Sequence, residues 1–413
     1  MKNGKLVCRF CGKPLDHAIV DLGMSPLANS YLKPGELLKM EPFYPLKVYV
    51  CDKCLLMQLP AFQRPEEIFS DYAYFSSYSD AWLAHARKYT EAMIDRFGFN
   101  RSSHVVEIAS NDGYLLKNFV ERGIPVLGIE PAANVAAAAI RVGIATIVDF
   151  FGTETASALA GNGIYADLLV GNNVLAHVPD INDFVAGMKL ILKPGGVITM
   201  EFPHLVRLME GNQFDTIYHE HFSYFSFLTA EKIFARHGLT VFDVEELPTH
   251  GGSLRIYACH AGQGGWPATE NVAALRLRET EAGYADLSLY RSFAGHVLET
   301  KRKALDFLIK AKAAKKSIAA YGAPAKGNTL LNYCGIGTDF IDYTVDKSPH
   351  KQGHYLPGTH IPIHAPERIG QTRPDYVLIL PWNLQEEIMG QMAHIRNWGG
   401  RFAVLIPEAR LLE

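Results

Sequence analysis

The sequence predicts an α/β protein of three domains, a small metal knuckle followed by two Rossmann-like parallel sheets. Three observations predict it: two C-x-x-C pairs near the N-terminus, strands alternating with helical patterns from residue 102, and a second such alternation from residue 317. A chain of 413 residues, 48% of them hydrophobic, exceeds one ordinary core. The expected boundaries are 1–70, 71–265 and 266–413.

The knuckle rests on Cys8-Arg-Phe-Cys11 and Cys51-Asp-Lys-Cys54. This spacing lets two thiolates on one tight turn reach a tetrahedral zinc ion at about 2.3 Å, and two such turns close a four-sulfur site. Four cysteine ligands leave no open position, so the zinc expected here is structural. The alternative is free thiols or a redox pair. Cys259 and Cys334 stand apart in apolar or Gly-rich surroundings and read as packing thiols.

The first α/β alternation opens with His104-Val-Val-Glu-Ile108, followed by a helix from Tyr114 and the strand Val126-Leu-Gly-Ile129. The turn Glu107-Ile-Ala-Ser-Asn-Asp-Gly113 lacks the G-x-G-x-x-G spacing that accommodates a pyrophosphate, and its acidic residues suit an amino-acid or sulfonium cation better. Gly113 is expected to let a ligand approach the backbone. Glu130 ends the second strand, where a carboxylate accepts from both ribose hydroxyls of an adenosine. Asp149-Phe150-Phe151 is placed to bracket an adenine, and Ala166 to Val174 forms a further strand that carries Asn172. The turn Lys193-Pro-Gly-Gly196 and a strand to Glu201 follow. In order and spacing these pieces resemble the class I S-adenosylmethionine (SAM)-dependent methyltransferases. That resemblance implies SAM as cofactor, held by Glu107, Ser110, Asn111, Gly113, Glu130, Asp149 and Asn172.

A net charge of −3 with dispersed Lys and Arg offers no basic face for nucleic acid. The N-terminus lacks a signal-peptide core, and no stretch approaches the roughly 18 to 20 apolar residues that cross a bilayer. The expected location is the cytoplasm, with no membrane partner.

His177 stands just beyond the strand that carries Asn172, and Asp215-Thr-Ile-Tyr218-His219-Glu220-His221-Phe-Ser-Tyr224 concentrates phenol, imidazole and carboxylate. The H-x-H spacing of His219 and His221 departs from the helical zinc motif H-E-x-x-H, so acid–base work is the expectation, with a structural aromatic cluster as the alternative. In the third domain, the strand ending at Gly322 runs through Ala323-Pro-Ala-Lys326-Gly-Asn328-Thr329 into a helix. Backbone N–H groups with Lys326, Asn328 and Thr329 there suit a nucleotide diphosphate handle. The alternative is a plain strand–helix turn.

The paired C-x-x-C, the SAM fold, Tyr-x-Glu-His at 218–221, His250-Gly-Gly252 and Tyr321-Gly-Ala-Pro-Ala-Lys-Gly-Asn328 together resemble the sugar C-methyltransferase family that acts on nucleotide-linked 4-keto deoxysugars. The resemblance spans essentially the whole chain. It implies a dTDP-linked keto sugar as partner, methylation at C-3′, and a sugar surrounded by Tyr74, His177, Tyr218, Glu220 and His221. His221 is expected as the base, Glu220 as the group that orients it, and Tyr218 with His177 as donors to the enolate oxygen; exchanging the two histidines fits equally. Two rivals are a zinc-bearing RNA methyltransferase and a non-catalytic nucleotide-sugar-binding protein.

Overall fold

The computed structural model describes residues 6–64, 75–262 and 265–413. In the N-terminal domain, β1 (His17–Ser25), β2 (Tyr44–Val50) and β3 (Met57–Gln58) pair antiparallel. Leu46, Val48 and Val50 point inward along β2 while Pro45, Lys47 and Tyr49 are half-buried, the period of two expected of a sheet with one packed face.

The central sheet contains β4 (Val105–Ile108), β5 (Val126–Ile129), β6 (Thr146–Ile147), β7 (Ala166–Asn172) and β8 (Leu192–Pro203), all parallel. Every residue of β4 is buried, as befits a central strand covered on both faces. The Lys193-to-Gly196 turn is real: Ala166 pairs with Leu192 but Leu168 with Val197, so the residues between bulge out of register. A short strand, β9 (Ser223–Tyr224), leaves this domain and pairs with β3, which completes the N-terminal sheet. Then β10 (Leu239–Leu247) and β11 (Ser253–His260) return to the central sheet, with β11 antiparallel between β8 and β10. The resulting order is β10-β11-β8-β7-β4-β5-β6. The neighbours of β4 lead off in opposite directions, which opens a crevice at the strands' carboxyl ends.

The helix Leu287–Ala313 leads to the third domain and buries Tyr290, Phe293, Val297, Ala304, Leu308 and Ala311, one face at spacings of three, four and seven. Beyond it, β12 (Ile318–Tyr321), β13 (Thr344–Val345), β14 (Ile363–His364), β15 (Tyr376–Ile379), β16 (Arg401–Val404) and β17 (Arg410–Leu412) form a second sheet. Its order is β14-β13-β12-β15-β16-β17, parallel except for β17. No helix among the described residues is long and apolar enough to cross a membrane.

One apolar core joins the outer domains: Leu22, Val48 and Val50 pack with Phe214 and Ile217 of the middle domain and with Leu308, Leu330 and Leu378 of the third. The N-terminal sheet is therefore a wedge between the two larger domains.

Candidate active site

The four cysteines of the knuckle converge. Their sulfurs lie within 4.8 Å of one another, with Cys8 to Cys54 and Cys11 to Cys51 each at 3.5 Å. A tetrahedron with metal–sulfur bonds of about 2.3 Å has edges of roughly 3.8 Å, so the donors fit zinc. Gln58 Nε2 donates to Cys8 Sγ at 3.2 Å, an outer hydrogen bond of the kind that holds a thiolate ligand in place.

At the carboxyl edge of the central sheet, Glu107, Asp112 and Glu130 form a buried carboxylate cluster. Burial pushes the Glu107 carboxyl well up, and the neighbouring Asp112 and Glu130 push the same way. Burial also raises Glu130, although it accepts from Asn111 N and Ala132 N at 2.9 Å each. Glu107 Oε2, Ser110 Oγ, Asp112 Oδ1 and both amide atoms of Asn172 are buried with no protein partner among the described residues. Such a set suits a ligand that brings both a cation and hydroxyl groups. Asn111 stands in the left-handed region (φ 50°), where its Oδ1 accepts from Ser76 N at 2.9 Å.

Two details of this pocket correct the sequence reading. Gly113 has φ 80°, and a Cβ there would meet Ile144 Cγ1 at 2.8 Å. Its side of the chain is filled by Ile144, so the glycine serves the turn and the packing behind it, not the approach of a ligand. Phe151 packs edge-on against Phe184, with centroids 5.4 Å apart, so only exposed Phe150 and Asp149 remain near an adenine's expected place. Asp149 accepts from Phe150 N at 2.8 Å and from Thr155 Oγ1 at 2.9 Å.

The second cluster lies where the three domains meet. His221 Nδ1 lies 2.8 Å from the carbonyl oxygen of Thr216, which can only accept, so the ring proton is on Nδ1. Its Nε2 then accepts from the Tyr218 hydroxyl at 2.8 Å. The His177 ring stands 4.7 Å from that of His221, edge to face. Burial holds His221 well below the ordinary histidine range, helped by neighbouring His177, Lys326 and His250. Burial likewise lowers His177 to about 4, partly offset by its hydrogen bond to the Glu220 backbone. Both imidazoles are neutral at pH 7.

The carbonyl of Thr216 thus orients His221, the role the sequence reading gave to Glu220. The Glu220 carboxylate instead accepts from Asn29 Nδ2 of the N-terminal domain at 2.6 Å. Tyr218 also departs from expectation, since its hydrogen points to His221 and is not available to an enolate oxygen. His219 turns away to Pro45 O at 3.3 Å and packs against Tyr44. Tyr74 lies outside the described residues.

From the third domain, Lys326 reaches the same region and donates to Asn383 Oδ1 at 2.7 Å, with its Nζ 4.7 Å from the Trp382 ring centroid. Trp382 Nε1 donates to Asp215 Oδ2 at 2.7 Å. Burial raises Asp215 to about 6 against the opposing charge of Lys326, and burial lowers Lys326. The sequence reading grouped Lys326 with Asn328 and Thr329, but the structure separates them. Asn328 Nδ2 donates to Ala28 O at 2.6 Å and Thr329 Oγ1 to Ile217 O at 3.0 Å. Both are buried and clamp the domains together, whereas Lys326 is only partly buried beside Asp215 and Trp382. Sequence reasoning named Asp215 only as the start of its polar segment and His250 only within a motif, and gave no part to Trp382 or Asn173. The available signal was His250-Gly-Gly252: Gly251 has φ 93°, and a Cβ there would overlap the Trp382 ring.

Acid should loosen this site first. His177 and His250 fall to about 4 from an ordinary 6.5, mainly through burial, so the folded state favours their neutral forms. Their contribution is complete above pH 6.5 and is lost as pH falls toward 4, up to about 3 kcal/mol from each. Denaturant melts at pH 7, 5.5 and 4.5 should show stability falling over this window. A flat profile would contradict burial of the pair.

Comparison with known proteins places the chain. Residues 82–244 match the family described as "Methyltransferase domain", 248–407 the "C-methyltransferase C-terminal domain" and 8–69 the "Putative zinc binding domain". C-methyltransferase NovU of Streptomyces niveus is 37% identical over 405 residues, 98% of this chain and 96% of that protein. Ubiquinone biosynthesis O-methyltransferase of Bartonella tribocorum is 30% identical over 95 residues, 23% of this chain and 38% of that one. Among solved structures, PH0226 protein from Pyrococcus horikoshii OT3 covers 48% of this chain and 99% of its own at 14% identity, with a TM-score of 0.37. With its three family matches in order and a relative aligned along nearly its full length, the chain belongs to the C-methyltransferase family and is a zinc-binding, SAM-dependent enzyme.

Proposed function

We propose that the enzyme methylates the carbon next to the ketone, C-3′, of a nucleotide-linked 4-keto deoxysugar carried on dTDP. The observation that carries this reading is the hydrogen-bonded pair of half-buried Tyr218 and buried His221, held neutral at the meeting of the two Rossmann-like domains with Lys326 beside it. A ketone acidifies its neighbouring C–H, and a neutral imidazole shielded from water can take up that proton. The Tyr218 hydroxyl occupies the path to His221 Nε2, so it hands the proton on and His221 is the final acceptor. His177 closes the other side of the sugar. Lys326 offers a positive charge to the diphosphate or to the developing enolate.

SAM, when bound, supplies the methyl group as an electrophilic carbon. The chain's own part is to hold it: Glu130 for the ribose hydroxyls, Glu107 and Asp112 for the amino group, Asn172 and Ser110 for the remaining polar atoms, and Asp149 at the adenine end. Replacing Glu130 with Gln is expected to weaken SAM binding at least tenfold, since hydrogen bonds to a charged group contribute about 1.5–3 kcal/mol. Calorimetry checks this, and unchanged affinity would place the ribose elsewhere.

The function itself is tested by incubating the protein with SAM and a dTDP-linked 4-keto-6-deoxysugar. A mass gain of one methyl, located by NMR on the carbon beside the ketone, is the expected result. A methyl on oxygen, or no product although both ligands bind, would refute it.

A further inference from the structure

Two residues at the mouth of the site stand in the left-handed backbone region without being glycine. Asn173, directly after β7, has φ 54°, and His250, in the loop between β10 and β11, has φ 54° and ψ 20°. Such conformations cost on the order of 1–3 kcal/mol and persist where the surroundings enforce them, often at functional sites. Here the two are joined, Asn173 Nδ2 donating to His250 Nε2 at 3.0 Å. An amide nitrogen only donates, so Nε2 carries the lone pair and the imidazole proton sits on Nδ1.

The ring and its loop are braced from several sides. Trp82 packs edge-on at 4.9 Å. Glu201, fully buried, accepts from Thr249 Oγ1 at 2.9 Å and from Arg255 at 2.7 Å, and lies 3.0 Å from His85 Nε2. His250 Nδ1–H has no protein partner among the described residues, whereas the Tyr218 hydrogen is directed to His221 and the His177 ring bonds the Glu220 backbone.

We propose that His250 is a further catalytic residue, whose Nδ1–H, set by Asn173, donates to the sugar's ketone oxygen as negative charge develops there. This rests on the reading of the substrate as a keto sugar. In the step, the C–H bond beside the ketone breaks and its proton passes to Tyr218–His221. The electron pair forms the enolate double bond and charges the ketone oxygen, which accepts from His250. A neutral imidazole is a well-matched donor here, since a donor fixed in advance needs no reorganisation as the charge appears. The groups facing His250 are Lys326, Glu201, His85 and His221, and burial with Lys326 and His85 outweighs Glu201 to keep the ring neutral at pH 7.

The test uses full-length zinc-loaded protein and follows loss of the C–H beside the ketone of a dTDP-linked 4-keto-6-deoxysugar in D2O by NMR, together with methyl transfer. His250→Asn keeps a residue that tolerates the left-handed backbone. It should slow exchange and kcat about 100-fold or more, the range for losing one oxyanion donor, with KM for the sugar nucleotide within about threefold. Asn173→Asp leaves His250 in place but raises its pKa through the new carboxylate, so exchange should gain a dependence between about pH 5 and 8 that wild type lacks. Wild-type exchange and turnover in His250→Asn, a loss confined to KM, or an unaltered pH profile in Asn173→Asp would each overturn the proposal while the enzyme's substrate stands. Wild-type protein that neither exchanges nor methylates this sugar would overturn the substrate reading, and this inference with it.

Discussion

Replacing His221 with Gln is expected to cut both methyl transfer and solvent-deuterium exchange beside the ketone by about 10³-fold, within the 10²–10⁴ range of general-base catalysis. Glutamine can still accept the Tyr218 hydrogen bond but cannot hold a proton, so geometry survives while the acceptor is lost. SAM affinity, which we propose is set at the Glu107-to-Glu130 edge of the sheet, should not change. Tyr218→Phe breaks the same relay at its other end. The double variant should therefore be scarcely worse than either single one, because groups that act as a unit are non-additive. If His221→Gln keeps wild-type turnover and exchange, the base has been misassigned; if only the double variant is inactive, the two residues act separately.

Cys51→Ser is expected to remove zinc and, with it, catalysis. The metal's grip on its knuckle is large, about 10–16 kcal/mol of apparent binding energy in small zinc domains at neutral pH. What the knuckle holds explains the reach of the effect. β3, close behind Cys54, pairs with β9, three residues beyond the Tyr218–His221 segment at most. Asn29 donates to Glu220, Ala28 O accepts from Asn328, and Tyr31 Oη donates to Ala323 O in the third domain's strand–helix loop. Elemental analysis should find about one zinc per wild-type chain and none in the variant, with methyl transfer reduced at least about 100-fold and earlier thermal unfolding. A zinc-free variant with full activity would show that the wedge holds its shape without the metal.

Local signals were strong wherever one stretch of chain carries its own physics. The C-x-x-C pairs state a ligand set because the sulfurs of each pair must share a turn, and both pairs meet as expected. The strands around Glu107, Glu130 and Asn172 were legible from β-branched runs broken by helical periods, and those residues line one sheet edge because parallel strands all end on the same side. Gly113 was legible as special, but not why: the neighbour that fills its missing side chain, Ile144, lies on another element.

The sequence by itself pointed to the α/β plan with its zinc-binding segment, the four clustered cysteines, the acidic strand ends proposed to hold SAM and the segment proposed to bear the base. Only the tertiary structure decided which groups act together. Thr216, not Glu220, sets the tautomer of His221, because a backbone carbonyl leaves no mark in the residue code. Asn328 and Thr329 serve as clamps while Lys326, on the same helix, faces the cleft, because which side of a helix meets a neighbouring domain depends on how the domains dock. Asn173 and His250 lie far apart in the chain and become one unit only when β7 and the β10–β11 loop end side by side, since hydrogen-bond partners are chosen by proximity in space and not along the chain.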